Sequence, residues 1–230
     1  MTITPDQQKQ ERAQAAHAAA GLVQPGMTVG LGTGSTVAHL LPVLAARALS
    51  IRCVATSPRT EAAALALGLP VEPFGTIDRF DITIDGADQI APDGWLVKGG
   101  GAAHTREKII AAASDRFVVI VDSAKVVDTI HGPIPIELLA FGLGATRRQL
   151  APLTLRDVPA SPDGGIIADY HGDVTDPATT AATLSATAGV IEHGLFPPAM
   201  VHDAFVGAPD SVQHLRRTST GHLEPASTRR

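Results

Sequence analysis

TVGLGTGSTVAHLLPVL, residues 28–44, packs a strand, a loop and a helix into one short run. Thr28, Val29, Gly30 and Leu31 read as a short buried strand, and Val37, Leu40, Leu41 and Leu44 recur at helical spacing. Between them, Gly32-Thr33-Gly34-Ser35-Thr36 offers little but backbone and hydroxyls. A strand that runs through such a loop into a helix aims free N–H groups and the positive end of the helix dipole at an anion. The loop has neither the lysine of a P-loop nor the full dinucleotide fingerprint, although Gly30-Leu31-Gly32 followed by Gly34 imitates the latter in part. A small phosphorylated metabolite is therefore favoured over a nucleotide. The same residues also suit plain capping of the helix by Ser35 or Thr36, which is compatible with anion binding. Pro42 either kinks this helix or marks a late start.

The strand-to-helix pattern repeats on both sides. Residues 7–22, rich in Ala and Gln, predict a first helix stopped by Gln24-Pro25-Gly26. Residues 51–55 predict a strand, Thr56-Ser57-Pro58 a helix cap, and the alanine-rich helix that follows is closed by Gly68. Residues 71–74 fit a short strand. FDITI at 80–84 alternates as a strand does and ends in Asp85-Gly86-Ala87-Asp88. In open α/β sheets, ligand sites gather at the carboxyl ends of strands, where Asp85 and Asp88 stand. An Asx-type turn is one alternative for this pair and a divalent metal another; against the metal, no further Asp, Glu or His cluster lies nearby in sequence.

Residues 95–97 predict a strand leading into KGGGAAHTRE at 98–107. Three consecutive glycines, Gly99, Gly100 and Gly101, belong where backbone must approach something closely or take positive φ. Lys98 precedes them, and Glu107 lies on the helix favoured by Ala102, Ala103, Ile109, Ile110 and the alanines up to Ala113. Alone, the stretch is a glycine-rich turn and a solvated helix; its surroundings supply the functional meaning. FVVIV at 117–121 is a strand buried on both faces, and Asp122-Ser123-Ala124-Lys125 leaves a cation, Lys125, at its carboxyl end.

Beyond this point the order of elements changes. A strand at 133–138, a helix at 142–150, a hairpin of 153–158 and 165–170 across Ser161-Pro162-Asp163-Gly164, a helix at 177–187 and a strand at 190–193 give the β-α-β-β-α-β order of a ferredoxin-like unit. The expected organisation is a catalytic domain of residues 1–130 plus 206–217, a ferredoxin-like α+β domain at 131–205, and a disordered tail at 218–230.

Composition narrows the partners. Across 230 residues, 44% are hydrophobic and 18% charged, which describes a folded globular chain rather than a disordered one. The formal charge of −5 is spread out with no basic cluster, so nucleic acid is excluded as a partner. Apolar runs end well before the ~20 residues needed to span a bilayer, and no secretory signal opens the chain. The single cysteine, Cys53, fits a small buried hydrophobe in a reducing cytoplasm.

The combination GTGST at 32–36, DGAD at 85–88, KGGGAA with TREK between Lys98 and Lys108, and DSAK ending at Lys125 resembles the A-type ribose-5-phosphate isomerases. Order and spacing match over most of residues 20–130. The resemblance implies a doubly wound, Rossmann-like parallel sheet with the smaller ferredoxin-like domain inserted, a homodimer or homotetramer, and no metal or cofactor. It further implies interconversion of ribose 5-phosphate and ribulose 5-phosphate in the pentose phosphate pathway. Carried over by position, Glu107 is the proton acceptor, and Lys98, Asp85 and Asp88 surround the reacting carbons. The substrate contacts are Thr33, Gly34, Ser35, Thr36, Gly86, Ala87, Gly99, Gly100, Gly101 and Lys125. A phosphate-contacting lysine near the family's amino terminus falls on Arg12, or is replaced by Lys9. Gln89 stands where the family has a glutamate, His104 where it has an apolar residue, and the 161–165 turn lacks an asparagine. His104 is either a further polar group near the site or a histidine tolerated on a helix.

These residues support one chemistry. Moving a carbonyl between C1 and C2 needs a base, Glu107, and a cation, Lys98, for the enediolate oxygen. Two rivals remain at this stage. A sugar-phosphate sensor of the same fold would need no base, and it would normally carry a DNA-binding segment. A sugar-phosphate deaminase, a lactonase or an acyl-CoA transferase shares the fold but not the joint DGAD and KGGG motifs.

Overall fold

The computed structural model describes residues 3–226. Helix α1 (Pro5–Ala20) starts with a capping box, in which the Thr4 hydroxyl accepts from Gln7 N–H and the Gln7 side chain accepts from Thr4 N–H. Then come β1 (Thr28–Leu31), α2 (Ser35–Ala46), β2 (Arg52–Ala55), α3 (Pro58–Ala66), β3 (Ile82–Asp85), β4 (Gln89–Ile90), β5 (Leu96–Val97), α4 (His104–Ala112) and β6 (Phe117–Asp122). The smaller unit comprises β7 (Ile134–Leu138), α5 (Leu143–Gln149), β8 (Leu153–Leu155), β9 (Ile166–Tyr170), α6 (Pro177–Ala186) and β10 (Val190–His193). The chain closes with β11 (Leu195–Phe196), β12 (Asp203–Ala208), β13 (Ser211–Arg217) and β14 (Leu223–Pro225).

The large sheet has the order β14-β13-β12-β6-β3-β1-β2. From β2 to β12 every pairing is parallel, and β13 and β14 add an antiparallel edge. Strand β6 shows why the fold needs cover on both faces. Val118 and Ile120 enter a core shared with α1 and α2, while Phe117, Val119 and Val121 enter a second core with Phe196, Val201 and Val206. The smaller sheet has the order β10-β7-β9-β8, wholly antiparallel, with Leu184 of α6 and Leu150 in its core. This is the expected α/β class with a ferredoxin-like companion.

Several local expectations change. Residues 71–74 form only a single bridge, Cys53 to Val71. Strand β5, within the strand expected at 95–97, lies in a separate three-stranded sheet, β11-β5-β4. The return to the large sheet begins at Asp203, three residues before the expected boundary, and continues as a hairpin with β13. The disordered tail is corrected over residues 218–226: Gly221, at φ 94°, turns the chain, Thr218 N–H donates to His222 O at 2.8 Å, and Leu223 is buried as β14 pairs with β13. Backbone bonds from Leu223 N–H to Pro92 O and from Ala226 N–H to His214 O, each 2.9 Å, hold the segment together with this one buried apolar side chain. Residues 227–230 of that expected tail lie outside the described residues. Helix α2 runs unbroken through Pro42, which is on its exposed side.

Candidate active site

A cleft of about 280 Å³ opens where β1, β3, β5 and β6 end. It is lined by Arg12, Thr33, Gly34, Ser35, Thr36, Arg59, Gly86, Ala87, Asp88, Lys98, Gly99, Gly100, Gly101, Glu107 and Lys125. Every expected site residue except Asp85 faces it.

One end is built from the loop before α2. The helix is capped by Gly34, at φ 135°, and no side chain caps it, so neither Ser35 nor Thr36 serves as the cap. The first-turn amides are left for an anion. Thr33 instead ties the loop down: its hydroxyl lies 2.7 Å from those of Thr56 and Ser57, and its N–H donates to Asp85 Oδ1 at 3.1 Å. At Gly32 a Cβ would stand 1.9 Å from Asp85 Oδ1, so that position accepts no side chain. Lys125 and Arg59 also line the cleft, and neither meets a carboxylate within ion-pair distance among the described residues. Arg12 is held to Asp122 at 2.7 Å, and its neighbour Glu11 accepts from the Ser123 N–H (2.9 Å) and hydroxyl (2.7 Å). Helix α1 thereby braces the turn that carries Lys125. Lys9 is exposed and does not line the cleft.

The other end is buried. Lys98 is 2% exposed, Glu107 3% and Asp85 fully enclosed. The Lys98 ammonium lies 3.0 Å from Asp85 Oδ2 and 3.1 Å from Glu107 Oε2, and it donates to the Gly86 carbonyl. Neither carboxylate contact has hydrogen-bond geometry, which leaves Asp85 Oδ2 and Glu107 Oε2 without a hydrogen-bond partner. Two carboxylates against one ammonium would carry a net negative charge in a dry site. Burial, aided by the Asp85 charge, accordingly pushes the Glu107 carboxyl up to about 8. Burial also raises the Asp85 carboxyl, against the pull of Lys98. For Lys98, burial is outweighed by the two carboxylates, and its pKa is raised: it stays an ammonium. Asp88 is placed apart, accepting from Gly100 N–H at 2.7 Å. Gly99, at φ 112°, turns the chain between Lys98 and that contact.

The family sequence pattern described as Ribose 5-phosphate isomerase A (phosphoriboisomerase A) matches residues 52–211. The chain belongs to the ribose 5-phosphate isomerase A family. It is similar to the ribose-5-phosphate isomerase A of Bradyrhizobium diazoefficiens, at 43% identity over 81% of this chain and 88% of that protein. Among solved structures, the ribose 5 phosphate isomerase A of Neisseria gonorrhoeae superposes with a TM-score of 0.88 at 28% identity, over 92% of this chain and 98% of the other. A D-ribose-5-phosphate isomerase in complex with phospho-erythronic acid superposes with a TM-score of 0.86 at 31% identity, over 94% of this chain and all of that one.

Within this family member, the unusual residues lie off the cleft. His104 is fully buried with both ring nitrogens unpartnered, and burial together with the Lys108 charge lowers it to about 4, so it is a neutral packing group. Gln89 bridges the backbone of His131, donating to its carbonyl at 2.8 Å and accepting from its N–H at 3.0 Å. Arg59 went unread in the sequence. Its signal was the second strand-cap-helix unit, because Ser57, accepting from Thr60 N–H, starts α3 at the same sheet edge as α2. Among the described residues no group of three or more His, Cys, Asp or Glu could hold a metal, and no helix is long and apolar enough to cross a membrane.

Proposed function

We propose that the chain interconverts D-ribose 5-phosphate and D-ribulose 5-phosphate by proton transfer through an enediol at Glu107 and Lys98. The observation that carries this reading is the Lys98–Glu107 contact of 3.1 Å at the floor of a cleft whose other end presents cations and free amides. Glu107 in its carboxylate form takes the C2 proton of the open-chain aldose. The electron pair forms the C1–C2 double bond, the O1 oxygen becomes an enediolate, and the adjacent Lys98 ammonium stabilises it. Return of the proton from Glu107 to C1, with the O2 proton passing to O1, gives the ketose.

Asp88 faces the cleft and is the group placed to move protons between the sugar oxygens and to open the furanose ring. Asp85 stands behind Lys98 and acts on it as a counter-charge. Phosphate bound by the α2 amides, Lys125 and Arg59 would supply binding energy that orients the reacting carbons. Gly86, Gly99 and Gly101 give the sugar backbone walls without side chains in its way, and Ala87 adds only a methyl group. The reading includes a homodimer or homotetramer acting in the cytoplasm in the non-oxidative pentose phosphate pathway.

A coupled assay with ribose 5-phosphate, with and without chelator, tests it. The expected result is turnover that survives chelation and is inhibited competitively by phospho-erythronic acid. Binding of ribose 5-phosphate without turnover would overturn it in favour of a sensor.

A further inference from the structure

Residues 105–108 of α4 face in two directions. Thr105 donates to Glu137 on β7, Arg106 holds both oxygens of Asp163 at 2.7 Å, and Lys108 donates to Glu192 Oε1 and to the His193 carbonyl, each at 2.6 Å. All of these partners belong to the smaller α+β unit. Glu107 turns instead to the Lys98 ammonium. The smaller unit therefore grips the helix on either side of the base.

The chain leaving that unit treats Lys98 in the same way. Lys98 N–H donates to the Gly194 carbonyl at 2.8 Å, and a Cβ on Gly194 would stand 2.0 Å from the Lys98 carbonyl oxygen. Two residues on, Phe196 of β11 pairs with Leu96 of β5 and is fully buried. Its ring centroid is 5.5 Å from Lys98 Nζ and 5.0 Å from Lys108 Nζ. One ring thus touches both the ammonium of the cleft and the ammonium next in sequence to the base.

We propose that Phe196 is a positioning residue that sets Lys98 against Glu107. The negative face of an aromatic ring attracts an ammonium within about 6 Å but accepts no proton and adds no full charge. Lys98 is steadied by it without a third anion competing with Asp85 and Glu107. Through Lys108, which Glu192 and backbone hold fast, the same ring is tied to α4 and so to the helix that carries Glu107.

The kinetic readout rests on the isomerase reading, and wild-type turnover of ribose 5-phosphate, measured alongside, tests that reading separately. Phe196→Leu keeps an apolar side chain and removes the ring face. Phe196→Tyr keeps the face. Phe117→Leu is the control, since Phe117 stacks on Phe196 at 6.3 Å, is equally buried and is not in contact with either ammonium. The expected result is a kcat loss of about tenfold in Phe196→Leu with KM within about twofold, and recovery to within about threefold in Phe196→Tyr. The charged groups acting on Glu107 are Asp85, Asp88 and Lys98, and of these only Lys98 lowers its pKa. A loosened Lys98 therefore moves the acid limb of kcat/KM to higher pH in Phe196→Leu and leaves it in place in Phe117→Leu. A folded Phe196→Leu with wild-type kcat and pH profile would overturn the proposal. So would an equal kcat loss without a pH shift in Phe117→Leu, which would mark the ring as packing alone.

Discussion

The two ends of the cleft solve different electrostatic problems. At the anion end, Arg59 and Ser35 are exposed and Lys125 half-buried, so charge is presented from water and each contact is modest. At the chemical end, Lys98 and Glu107 are 2% and 3% exposed, and Asp85 is wholly enclosed. There, charges cannot be neutralised by solvent and alter one another's protonation. Recognition can be spread over a surface, whereas proton transfer needs a few groups driven into an environment that makes one of them an unusually strong base.

The largest break in this contrast should come from Glu107→Gln. It keeps the shape and removes the proton acceptor, so kcat should fall by about 10²–10⁴-fold with KM nearly unchanged, read in the coupled assay. A variant with near-normal turnover would move the base elsewhere. At the other end, Lys125→Ala and Arg59→Ala should each raise KM about tenfold with a small change in kcat, because a charge-assisted contact to phosphate is lost. That penalty should shrink in high salt, as expected of an exposed pair, whereas the Glu107 effect should not.

The smallest and most discriminating expectation concerns pH. Glu107 is raised from the ordinary 4.5 to about 8, so it is protonated, and inactive as a base, below that value. The acid limb of wild-type kcat/KM should therefore lie far above the usual carboxylate range. The linkage sign follows from the same shift. The folded state holds this proton more tightly than the unfolded chain, so its contribution to stability is present below about 4.5 and is lost as pH rises through about 8. Glu107→Gln should then gain Tm relative to wild type at pH 9 compared with pH 5, at about 2–4 °C for each kcal/mol. An unchanged difference between the two pH values would mean that Glu107 is not forced to hold a proton.

Much of this was legible in residue order because backbone chemistry is local. The loop at 32–36, the Asp85-Gly86 turn and the triple glycine each declare themselves through what glycine allows, and β6 through an unbroken apolar run. The inserted unit was legible as an order of elements. What escaped depends on contacts distant in sequence. Arg59 looked like any helix arginine until α3 was seen to start beside α2. Leu223 could not show the core of Phe117, Phe196 and Val206 that it joins, and Phe196 gave no sign of the two lysines it would meet. Asp85 and Asp88 part for the same reason: as sequence they are equal, but Asp85 is buried against Lys98 while Asp88 lines the cleft.

The smaller unit interrupts the large sheet between β6 and β12, which are adjacent in space, Val119 beside Ala204. Helix α1, made first, lies against β12, made among the last, so closely that a Cβ on Gly207 would stand 1.9 Å from the Glu11 carbonyl oxygen. Helix α1 also packs on α2 and β6, so its seat is shared between elements far apart in sequence. The brace from Glu11 and Arg12 to the Lys125 turn hangs from the same helix, so the anion end of the cleft is tied to a closure between distant parts of the sequence, and closures of that length are intrinsically slow to form.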